Sequence, residues 1–584
     1  MHFIPYRSRE KLHKYPFGAI ATGQEFSLRV VLPRALCCRG LRPQWGDYDG
    51  AWDTLEPFFW ECMQGEHEEW WQCRLTVQEP GLYRYRFVYD SDHGGGVIGH
   101  EGQGIGLIGE GAYWQLTVYD PALKLPEDLR NGVLYQIFPD RFHASGMPKK
   151  DIPPDRALRK DWGGTPQWKP DAQGRITQYD FFGGDLQGIA QKLDYLADLG
   201  VTCIYLNPIF EAESNHRYDT ADYLKIDPLL GDESDFKHLC EQAHARDIRV
   251  ILDGVFSHTG AKSVYFESAQ DSQDSPYYDW YSFDKWPDDY ASWWGIDILP
   301  ELREDHPSVL EFFTGEQGVV RHWLRMGADG WRLDVADELP DAFLDRLFEA
   351  ALAEKPDCYV LGEVWEDASR KHSHGGRRRF LLGRQMHSVM NYPLANAILR
   401  FVRKAEAEQL AEVVLNQLEH YPPCAIDGLM NHIGTHDTPR VLNRLVSDAE
   451  IGREDVQISQ DILAVARKRL KLCAALQYTL PGNPCVYYGD EAGLTGAADP
   501  FNRACYPWGR EDEDLLSYYR ELGALRRTHK MGGFRLISAA LGCIAYSRDS
   551  IIVIANANPH NITYRLPDGR EIEIEAESAH ILDH

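Results

Sequence analysis

The chain has 584 residues, of which 43% are hydrophobic and 26% are charged, so it is neither a disordered nor a fibrous protein. Its length predicts several domains, or one large barrel with smaller attachments. The 61 Lys and Arg residues are outnumbered by 89 Asp and Glu, which gives a formal net charge of −28. Such a chain lacks the positive charge that attracts nucleic acid or an anionic membrane, and we expect neither as a partner.

The cysteine pattern and the lack of long apolar segments indicate in which cellular compartment the protein is expected. The 12 cysteines are scattered without a Cys-x-x-Cys pair, which is typical of reduced, buried thiols. No stretch of about 18 apolar residues occurs, so the sequence predicts no membrane span. The opening residues lack the apolar run of a signal peptide. We therefore expect a cytoplasmic protein.

Residues 1–125 predict an N-terminal β-sandwich. The segments 26–32, 71–77 and 82–88 have the alternating or β-rich composition of strands. Gly, Pro and Asp residues separate these segments, as in sandwiches of antiparallel sheets. The polar, Pro-containing stretch 120–132 that follows indicates a linker.

Residues 126–510 alternate between strand and helix patterns. In 186–199, for example, apolar residues recur at helical spacings of three and four. The alternation predicts an α/β fold, a parallel (β/α)8 TIM barrel. An open doubly wound sheet is the alternative, and it is disfavoured because no Gly-rich phosphate loop follows the first strand. The apolar runs that mark the barrel strands are 133–138, 203–207, 250–256, 330–336, 359–365, 388–392, 429–437 and 485–491.

Two further segments complete the predicted fold. The longest gap, 257–305, follows the third strand, is rich in Trp, Tyr and Asp, and predicts an inserted subdomain. Residues 511–584 begin with a helical pattern and continue with short strands, two of which are joined across a Pro-Asp-Gly turn. They predict a C-terminal β domain.

Polar residues end four of the barrel strands, which is where barrel enzymes carry their catalytic groups. Ionised groups are costly in such places unless they are paired, so a purely structural origin for all of them is disfavoured. We expect these side chains to meet in one cavity. They are Asp253 and His258 at strand three, Arg332 and Asp334 at strand four, Glu363 at strand five, and His436 and Asp437 at strand seven.

Arg332, Asp334 and Glu363 point to a reaction type. Arg332 and Asp334 are two residues apart on one strand, so they share a face, and the arginine is expected to lower the pKa of the aspartate. Glu363 follows the neighbouring strand and can face Asp334 across a bound substrate. One ionised and one protonated carboxyl group together cleave glycosidic bonds. A structural Arg–Asp pair beside an unrelated Glu is the alternative.

At these positions the sequence resembles glycoside hydrolase family 13, the α-amylase family. The segments that resemble its four conserved blocks are D-G-V-F-S-H at 253–258, G-W-R-L-D-V-A-D-E at 330–338, G-E-V-W at 362–365 and G-T-H-D-T-P-R at 434–440. Supporting motifs are H-R-Y-D-T-A-D-Y at 216–223, L-P-E-L at 299–302 and L-P-G-N-P-C-V-Y-Y-G-D-E at 480–491. The resemblance covers the whole predicted barrel.

The resemblance implies a role for each matched residue. Asp334 would be the nucleophile, Glu363 the general acid and base, and Asp437 a third carboxylate that binds and distorts the sugar, in a double displacement with retention. Residues that match positions around the sugar at the cleavage point are Tyr218, His216, Asp253, His258, Arg332 and His436. Residues that match positions near flanking sugars are Glu338, Trp365, Asp499 and Arg503, of which the last two can equally form a structural pair.

The domain layout is most similar to the group of cyclomaltodextrinases, neopullulanases and maltogenic amylases. This similarity implies an oligosaccharide substrate and hydrolysis of α-1,4 links in maltooligosaccharides, cyclodextrins or pullulan, with some transglycosylation. It also implies a homodimer in which the N-terminal domain narrows the partner's active site. The alternatives are an exo-acting α-glucosidase of the same family and a non-catalytic glucan-binding protein. A metal-dependent barrel hydrolase is disfavoured, because no H-x-H or HExxH motif lies near the strand ends.

Several residues depart from the family pattern. Asp337 stands where the group has Asn, which puts the balance between hydrolysis and transfer in doubt. Ser257 replaces an Asn that commonly binds calcium, and the residues from His143 onward lack a second set of calcium ligands, although Asp185 of that set remains. Calcium requires six or more oxygen ligands, so we expect no metal cofactor and little calcium dependence.

Overall fold

The computed structural model describes residues 3–51, 53–54, 57–109, 111–149, 152–154, 156–170, 178–447, 451–453 and 457–583. The chain forms two compact units. One contains residues 1–124, 367–387 and 412–426, and the other contains residues 125–366, 388–411 and 427–584. Within the described residues, no helix combines the length and the apolar composition needed to cross a membrane.

The first unit is built on two β-sheets, which confirms the predicted N-terminal β domain. Its strand Glu25–Pro33 alternates as a half-buried strand does, with Phe26, Leu28 and Val30 at most 1% exposed. In the described part of residues 1–124, the strands are Tyr6–Arg7, Lys14–Tyr15, Ile20–Ala21, Glu25–Pro33, Cys38–Asp47, Asp53–Thr54, Phe59–Gln64, Glu68–Thr76, Gly81–Ser91, Gly96–Gly102, Ile105–Ile108 and Trp114–Tyr119.

Segments 367–387 and 412–426 join this unit through ion pairs that the sequence pattern does not reveal. Arg9 contacts Glu412 at 2.6 Å and Glu419 at 2.8 Å. In segment 367–387, the strands His372–Ser373 and Gly376–Arg377 form a small hairpin. These contacts connect parts of the unit that are hundreds of residues apart in sequence.

The second unit contains the predicted barrel. Strands one to six pair in parallel in chain order, the seventh pairs with the eighth, and the eighth pairs with the first through Cys485 and Leu134. A parallel bridge between Met390 and Met430 closes the remaining gap. This arrangement confirms the (β/α)8 fold. The barrel strands are Leu134–Ile137, Cys203–Leu206, Arg249–Gly254, Gly330–Leu333, Tyr359–Gly362, Ser388–Val389, Met430–His432 and Asn483–Tyr487.

Helices connect the barrel strands, and several of them begin at a residue whose side chain caps the helix. The helix Glu233–His244, for example, begins after Asp232, whose side chain accepts the backbone N–H groups of Ser234 and Asp235. The described helices are Pro139–Phe142, Leu186–Gln191, Leu193–Asp198, Glu233–His244, Val264–Asp271, Pro307–Thr314, Val319–Arg325, Asp341–Glu354, Tyr392–Lys404, Ala407–His420, Pro423–Gly428, Val441–Arg444, Gln460–Thr479 and Glu513–Thr528.

The insertion after strand three is built mainly on aromatic packing. Tyr265, in the helix Val264–Asp271, stacks on Trp280 with ring centroids 5.4 Å apart. A short strand pair follows, and the 3-10 helix Trp293–Gly295 then brings two tryptophans towards the barrel mouth.

The C-terminal part also matches its predicted class. A four-stranded sheet is formed by Arg535–Ala540, Cys543–Arg548, Ile551–Asn556 and Ser578–Asp583, and a hairpin joins Ile562–Arg565 to Glu571–Ile574. The first and last strands of the sheet are missing from the sequence prediction. Both strands are only partly buried, so they lack a strong apolar signal.

Candidate active site

A cleft of about 580 Å³ opens among the loops that follow the carboxyl ends of the barrel strands. The predicted site residues that line it are His216, Tyr218, His258, Asp334, Glu338, Glu363, Trp365, His436, Asp437, Asp499 and Arg503. Asp253 and Arg332 lie directly behind this lining, because Asp253 accepts a hydrogen bond from Tyr218 and Arg332 contacts Asp334. The structure therefore brings all of the predicted residues together.

Arg332 is the centre of a carboxyl cluster. Its side chain is fully buried, and its Nη1 lies 2.6 Å from Asp334 Oδ1 and 2.7 Å from Asp253 Oδ1. Its Nη2 lies 2.8 Å from Glu363 Oε2. The neighbouring strands three, four and five supply these groups at one level of the barrel, which is why a single guanidinium contacts three carboxyl groups.

Burial, rather than Arg332, decides the direction in which the pKa of Asp334 moves. Burial raises this pKa, Arg332 opposes the effect, and the neighbouring carboxyl groups of Glu363 and Asp253 raise it further. The predicted Arg332–Asp334 contact exists, but the predicted net lowering of the pKa is wrong. The reason is that the carboxyl groups share one cation in a desolvated site. The cluster therefore retains a proton more readily than isolated carboxylates do.

Glu363 is held by three hydrogen-bond donors. Its Oε2 accepts the backbone N–H of Val335 at 2.9 Å, and its Oε1 accepts Trp365 Nε1 at 3.1 Å and the Tyr392 hydroxyl at 3.3 Å. Tyr392 also stacks on Trp365, with ring centroids 4.1 Å apart. No role was predicted for Tyr392, although it is the last residue of the predicted sixth strand. Its position at a strand end is the signal that could have indicated one.

Tyr218 connects the cluster to His436, because its hydroxyl contacts both Asp253 and His436. Its hydroxyl donates to Asp253 Oδ2 at 2.8 Å and lies 2.5 Å from His436 Nε2, and the two rings are stacked at 5.2 Å. Burial lowers the pKa of His216 and His436, and it lowers the pKa of His258 to about 4. These three histidines are therefore neutral hydrogen-bonding groups at neutral pH.

Asp437 contacts His436 and Arg503, which are not members of the Arg332 cluster. Its Oδ1 lies 3.2 Å from His436 Nε2 and 3.8 Å from Arg503 Nη2. Loss of hydration, reinforced by the Glu363 carboxyl, raises the pKa of Asp437 to about 7. Arg503 also forms an ion pair with Asp499 at 3.1 Å, and both residues line the cleft. The two residues therefore form the expected ion pair and are also accessible to a ligand in the cleft.

The cleft has further lining residues. Leu299, Val335 and Asp337 belong to segments that match the family motifs, and Trp293 and Trp294 lie in the Trp-rich insertion. Gln178 and Glu366 lie outside the matched motifs, so only the folded structure identifies them.

At the two positions where the sequence departs from the calcium ligands of the family, the side chains contact other protein groups. Ser257 Oγ lies 2.9 Å from His258 Nδ1 and so already has a partner. Asp185 accepts hydrogen bonds from the Ser145 hydroxyl, the Gly188 backbone and the ammonium group of Lys149. An ammonium group at this carboxylate disfavours a second cation. Among the residues that the structure describes, no group of three or more His, Cys, Asp or Glu is arranged to hold a metal ion.

The fold and the site are those of a barrel enzyme with a cluster of carboxyl groups at its mouth. A model of the α-amylase catalytic domain matches residues 136–523. The chain therefore belongs to the α-amylase family of glycoside hydrolases, as the sequence motifs indicated.

Similar proteins refine this placement. The chain is 38% identical over 509 residues to a cyclomaltodextrinase from Geobacillus thermopakistaniensis, covering 83% of this chain and 77% of the relative. It is 34% identical over 588 residues to an amylopullulanase from Thermoanaerobacter thermohydrosulfuricus, covering 90% of this chain but only 39% of that longer protein. The type III pullulan hydrolase from Thermococcus kodakarensis has a similar structure, with a TM-score of 0.70, 27% identity and 100% of both chains covered.

Proposed function

We propose that this protein hydrolyses α-1,4-glucosidic bonds in maltooligosaccharides, cyclodextrins or pullulan, with retention at the anomeric carbon and with some transglycosylation. One observation carries the proposal: the carboxyl groups of Asp334 and Glu363 both contact Arg332 and both line the cleft. Relatives named as a cyclomaltodextrinase and a pullulan hydrolase support the substrate class.

In the proposed reaction, Asp334 attacks the anomeric carbon while Glu363 gives its proton to the leaving glycosidic oxygen. The bond to the leaving sugar breaks as the bond to Asp334 forms, which produces a glycosyl-enzyme. Glu363 then takes a proton from water, and the resulting oxygen nucleophile displaces Asp334. Arg332, at 2.6 Å from Asp334, favours the anionic form that attacks.

The remaining cleft residues bind the substrate. Asp437 contacts hydroxyl groups of the sugar at the cleavage point, and Tyr218 stacks on the same ring. His216, His258 and His436 hydrogen-bond its hydroxyls, with Asp253 and Arg332 supporting them from behind. Trp365, Glu338, Asp499 and Arg503 act on the flanking sugars. This assignment rests on their shared position in one cleft.

The substitution D334N tests the proposed nucleophile. We expect kcat on maltotriose to fall by roughly 10³-fold or more, because the amide cannot form the covalent intermediate. The matched control is D345N, which makes the same change on the helix Asp341–Glu354, away from the cleft. Proton NMR of the first product should show the retained α-anomer. Undiminished turnover in D334N, or an inverted first product, would contradict the mechanism.

A product profile tests the substrate class. The wild-type protein should be given γ-cyclodextrin, pullulan, maltotriose and soluble starch in parallel, with the products separated by chromatography. We expect short products such as maltose or panose, and slower attack on starch than on cyclodextrin. Glucose released stepwise from chain ends would instead identify an exo-acting α-glucosidase.

We also propose that the protein works without bound calcium. The support is the ammonium group of Lys149 at Asp185, where a divalent cation would need further oxygen ligands. Activity and melting temperature should be the same in EDTA and in calcium chloride. A loss in EDTA that calcium restores would count against the proposal.

We further propose a homodimer in the cytoplasm. The 12 cysteines all lie in the described residues and none of them forms a disulfide bond, which suits a reducing compartment. In the first unit, the edge strand Phe59–Gln64 exposes Phe59 and Trp60, and an aromatic sheet edge of this kind favours association with a second chain.

A further inference from the structure

Asp437 lies on a loop, residues 434–440, that follows barrel strand seven and is called the Asp437 loop below. Its side chain is held less closely than those of the other two proposed catalytic carboxyl groups. Asp437 Oδ1 lies 3.2 Å from His436 Nε2 and 3.8 Å from Arg503 Nη2, whereas the Arg332 guanidinium lies within 2.8 Å of both other groups. The direction in which the Asp437 carboxyl group points therefore depends mainly on the backbone of its loop.

The side chain of Asn502 holds this loop on both sides of Asp437. Its Nδ2 donates to the backbone oxygen of His436 at 2.6 Å and to that of Thr438 at 3.0 Å, the residues directly before and after Asp437. Both partners are acceptors, so the amide faces them with its NH2 group, which has two N–H bonds to donate. Asn502 is fully buried, so water does not compete for these hydrogen bonds.

Asn502 is itself fixed in place by neighbouring elements. It lies in the 3-10 helix Phe501–Arg503, and its backbone oxygen accepts the hydroxyl of Tyr487, on strand eight, at 3.3 Å. The backbone oxygen of the next residue, Arg503, accepts Arg141 Nη1 at 2.9 Å. Arg141 belongs to the short helix that follows strand one. The amide that holds the Asp437 loop is therefore anchored to two further parts of the barrel.

We propose that Asn502 is a positioning residue of the active site, which orients the Asp437 carboxyl group by fixing the backbone carbonyls on either side of it. This inference rests on the proposed glycosidase function, in which Asp437 binds and distorts the sugar at the cleavage point. A displacement of about 1 Å in an active site can lower the rate by about 100-fold, so a carboxyl group on a loop requires such support. Asn502 does not line the cleft, so it acts through Asp437 and not on the sugar.

The substitution N502L tests the role of the amide, because it keeps the approximate size of the side chain and removes both donors. With maltotriose as substrate, we expect kcat to fall by roughly 10- to 100-fold, because the carboxyl group is displaced from the distorted sugar. KM should change less than kcat, since the lost contact matters most in the transition state. N502S, which keeps one donor on a shorter side chain, should fold more readily and show a smaller loss of kcat.

Asn483 provides a matched control at the opposite end of the barrel, where strand eight begins. Its Nδ2 also donates to two backbone oxygens, those of Leu129 at 2.8 Å and Asp427 at 2.9 Å, and the residue is 1% exposed. N483L should lower the midpoint of thermal unfolding at least as much as N502L, because Asn483 also accepts a hydrogen bond from Arg526. It should nevertheless keep the wild-type kcat and KM. A loss of kcat in N483L equal to that in N502L would reflect general destabilisation and would overturn the inference.

A double-substitution cycle tests whether Asn502 acts through Asp437. N502L should lower kcat strongly in the wild-type background but cause little further loss in the D437N background, because the carboxyl group that it orients is then absent. N483L should have no effect on kcat in either background. A loss from N502L that persists in full in D437N would overturn the inference.

Hydrogen exchange without substrate distinguishes this inference from the proposed function. Measured by mass spectrometry, the amides of the Asp437 loop should exchange faster in N502L than in wild type, and at the wild-type rate in N483L. This result supports the positioning role even if the wild-type protein cleaves no maltooligosaccharide, an outcome that would overturn the proposed function alone. Unchanged exchange together with unchanged kcat in N502L would overturn the positioning role even if the wild-type protein is an active hydrolase.

Discussion

A single buried guanidinium faces three carboxyl groups at the floor of the cleft. Arg332 contacts Asp253, Asp334 and Glu363, so full ionisation would set three negative charges against one positive charge. At this depth the repulsion and the lost hydration hold a proton in the cluster, and the pKa values of Asp253 and Asp334 are raised accordingly. The proposed mechanism uses the form of this cluster in which Asp334 is ionised and the proton lies on Glu363.

The raised pKa of Asp437, about 7, makes a prediction about stability. The native state binds this proton more tightly than the unfolded chain, so the stability it confers is complete below about pH 4 and is lost as the pH rises through 7. D437N cannot ionise, and it should be more stable than wild type at pH 8 but not at pH 4. Because the Asp437 side chain is 31% exposed, solvent screening limits the gain to roughly 1 kcal/mol.

Urea unfolding of D437N and wild type at both pH values checks this expectation. The same variant should lose most of its hydrolytic activity, because the carboxyl group is proposed to bind sugar hydroxyls. A stability difference that is independent of pH would show that the Asp437 carboxyl titrates alike in the native and unfolded states.

At the level of single elements, the ends of the barrel strands could be predicted from the sequence, because each parallel strand is an apolar run followed by polar residues. Short apolar runs that end in Asp253, Asp334 or Glu363 predict the barrel fold, and they also predict the end of the barrel at which the catalytic residues lie. The hydrogen bonds of Tyr392 to Glu363 and of the insertion tryptophans to Glu338 were not predictable. They depend on how loops fold over the barrel mouth, and loop contacts between distant residues leave no periodic signal.

Gly330 shows how closely strands four and five approach below the cluster. A Cβ atom at this position would lie 2.0 Å from the backbone oxygen of Tyr359, in the next strand. G330A should therefore force the two strands apart and destabilise the protein by about 3 kcal/mol, measured by urea unfolding. The control is G40A in the strand Cys38–Asp47, where an added Cβ meets nothing within 4 Å. Equal stability of G330A and wild type would mean that the barrel adjusts without strain.

Lys149 and Asp185 form a second element-scale feature, at the start of the helix Leu186–Gln191. The side chain of Lys149 is 12% exposed and that of Asp185 is 4% exposed, so the ion pair is largely desolvated. K149M leaves the carboxylate without its cation and should cost about 2–3 kcal/mol of unfolding free energy, somewhat less than for a fully buried pair. K149R keeps the charge and should retain most of the stability. If K149M unfolds at the same urea concentration as wild type, the pair is not structural.

At the scale of the whole molecule, the sequence predicts the structural class of each domain, but it does not predict which segments belong to each of the two compact units. The alternation of strands and helices and the β-rich ends appear in composition and period, and the structure has them. The inclusion of 367–387 and 412–426 in the same compact unit as residues 1–124 is not visible in the sequence. It depends on ion pairs such as Arg9 with Glu419, between residues that share no local pattern.

The net charge of this chain opposes the proposed dimerisation, and the strength of that opposition can be measured. Each copy carries a formal charge of −28, so two copies repel each other when salt does not screen them. We therefore expect sedimentation velocity to show a dimer at about 0.15 M NaCl and a shift towards monomer at about 0.01 M, where the screening length is roughly four times larger. Replacement of both Phe59 and Trp60 by Ser should favour the monomer at either salt concentration, because these side chains are 72% and 52% exposed on an edge strand. A single 66.8 kDa species under every condition would refute the dimer.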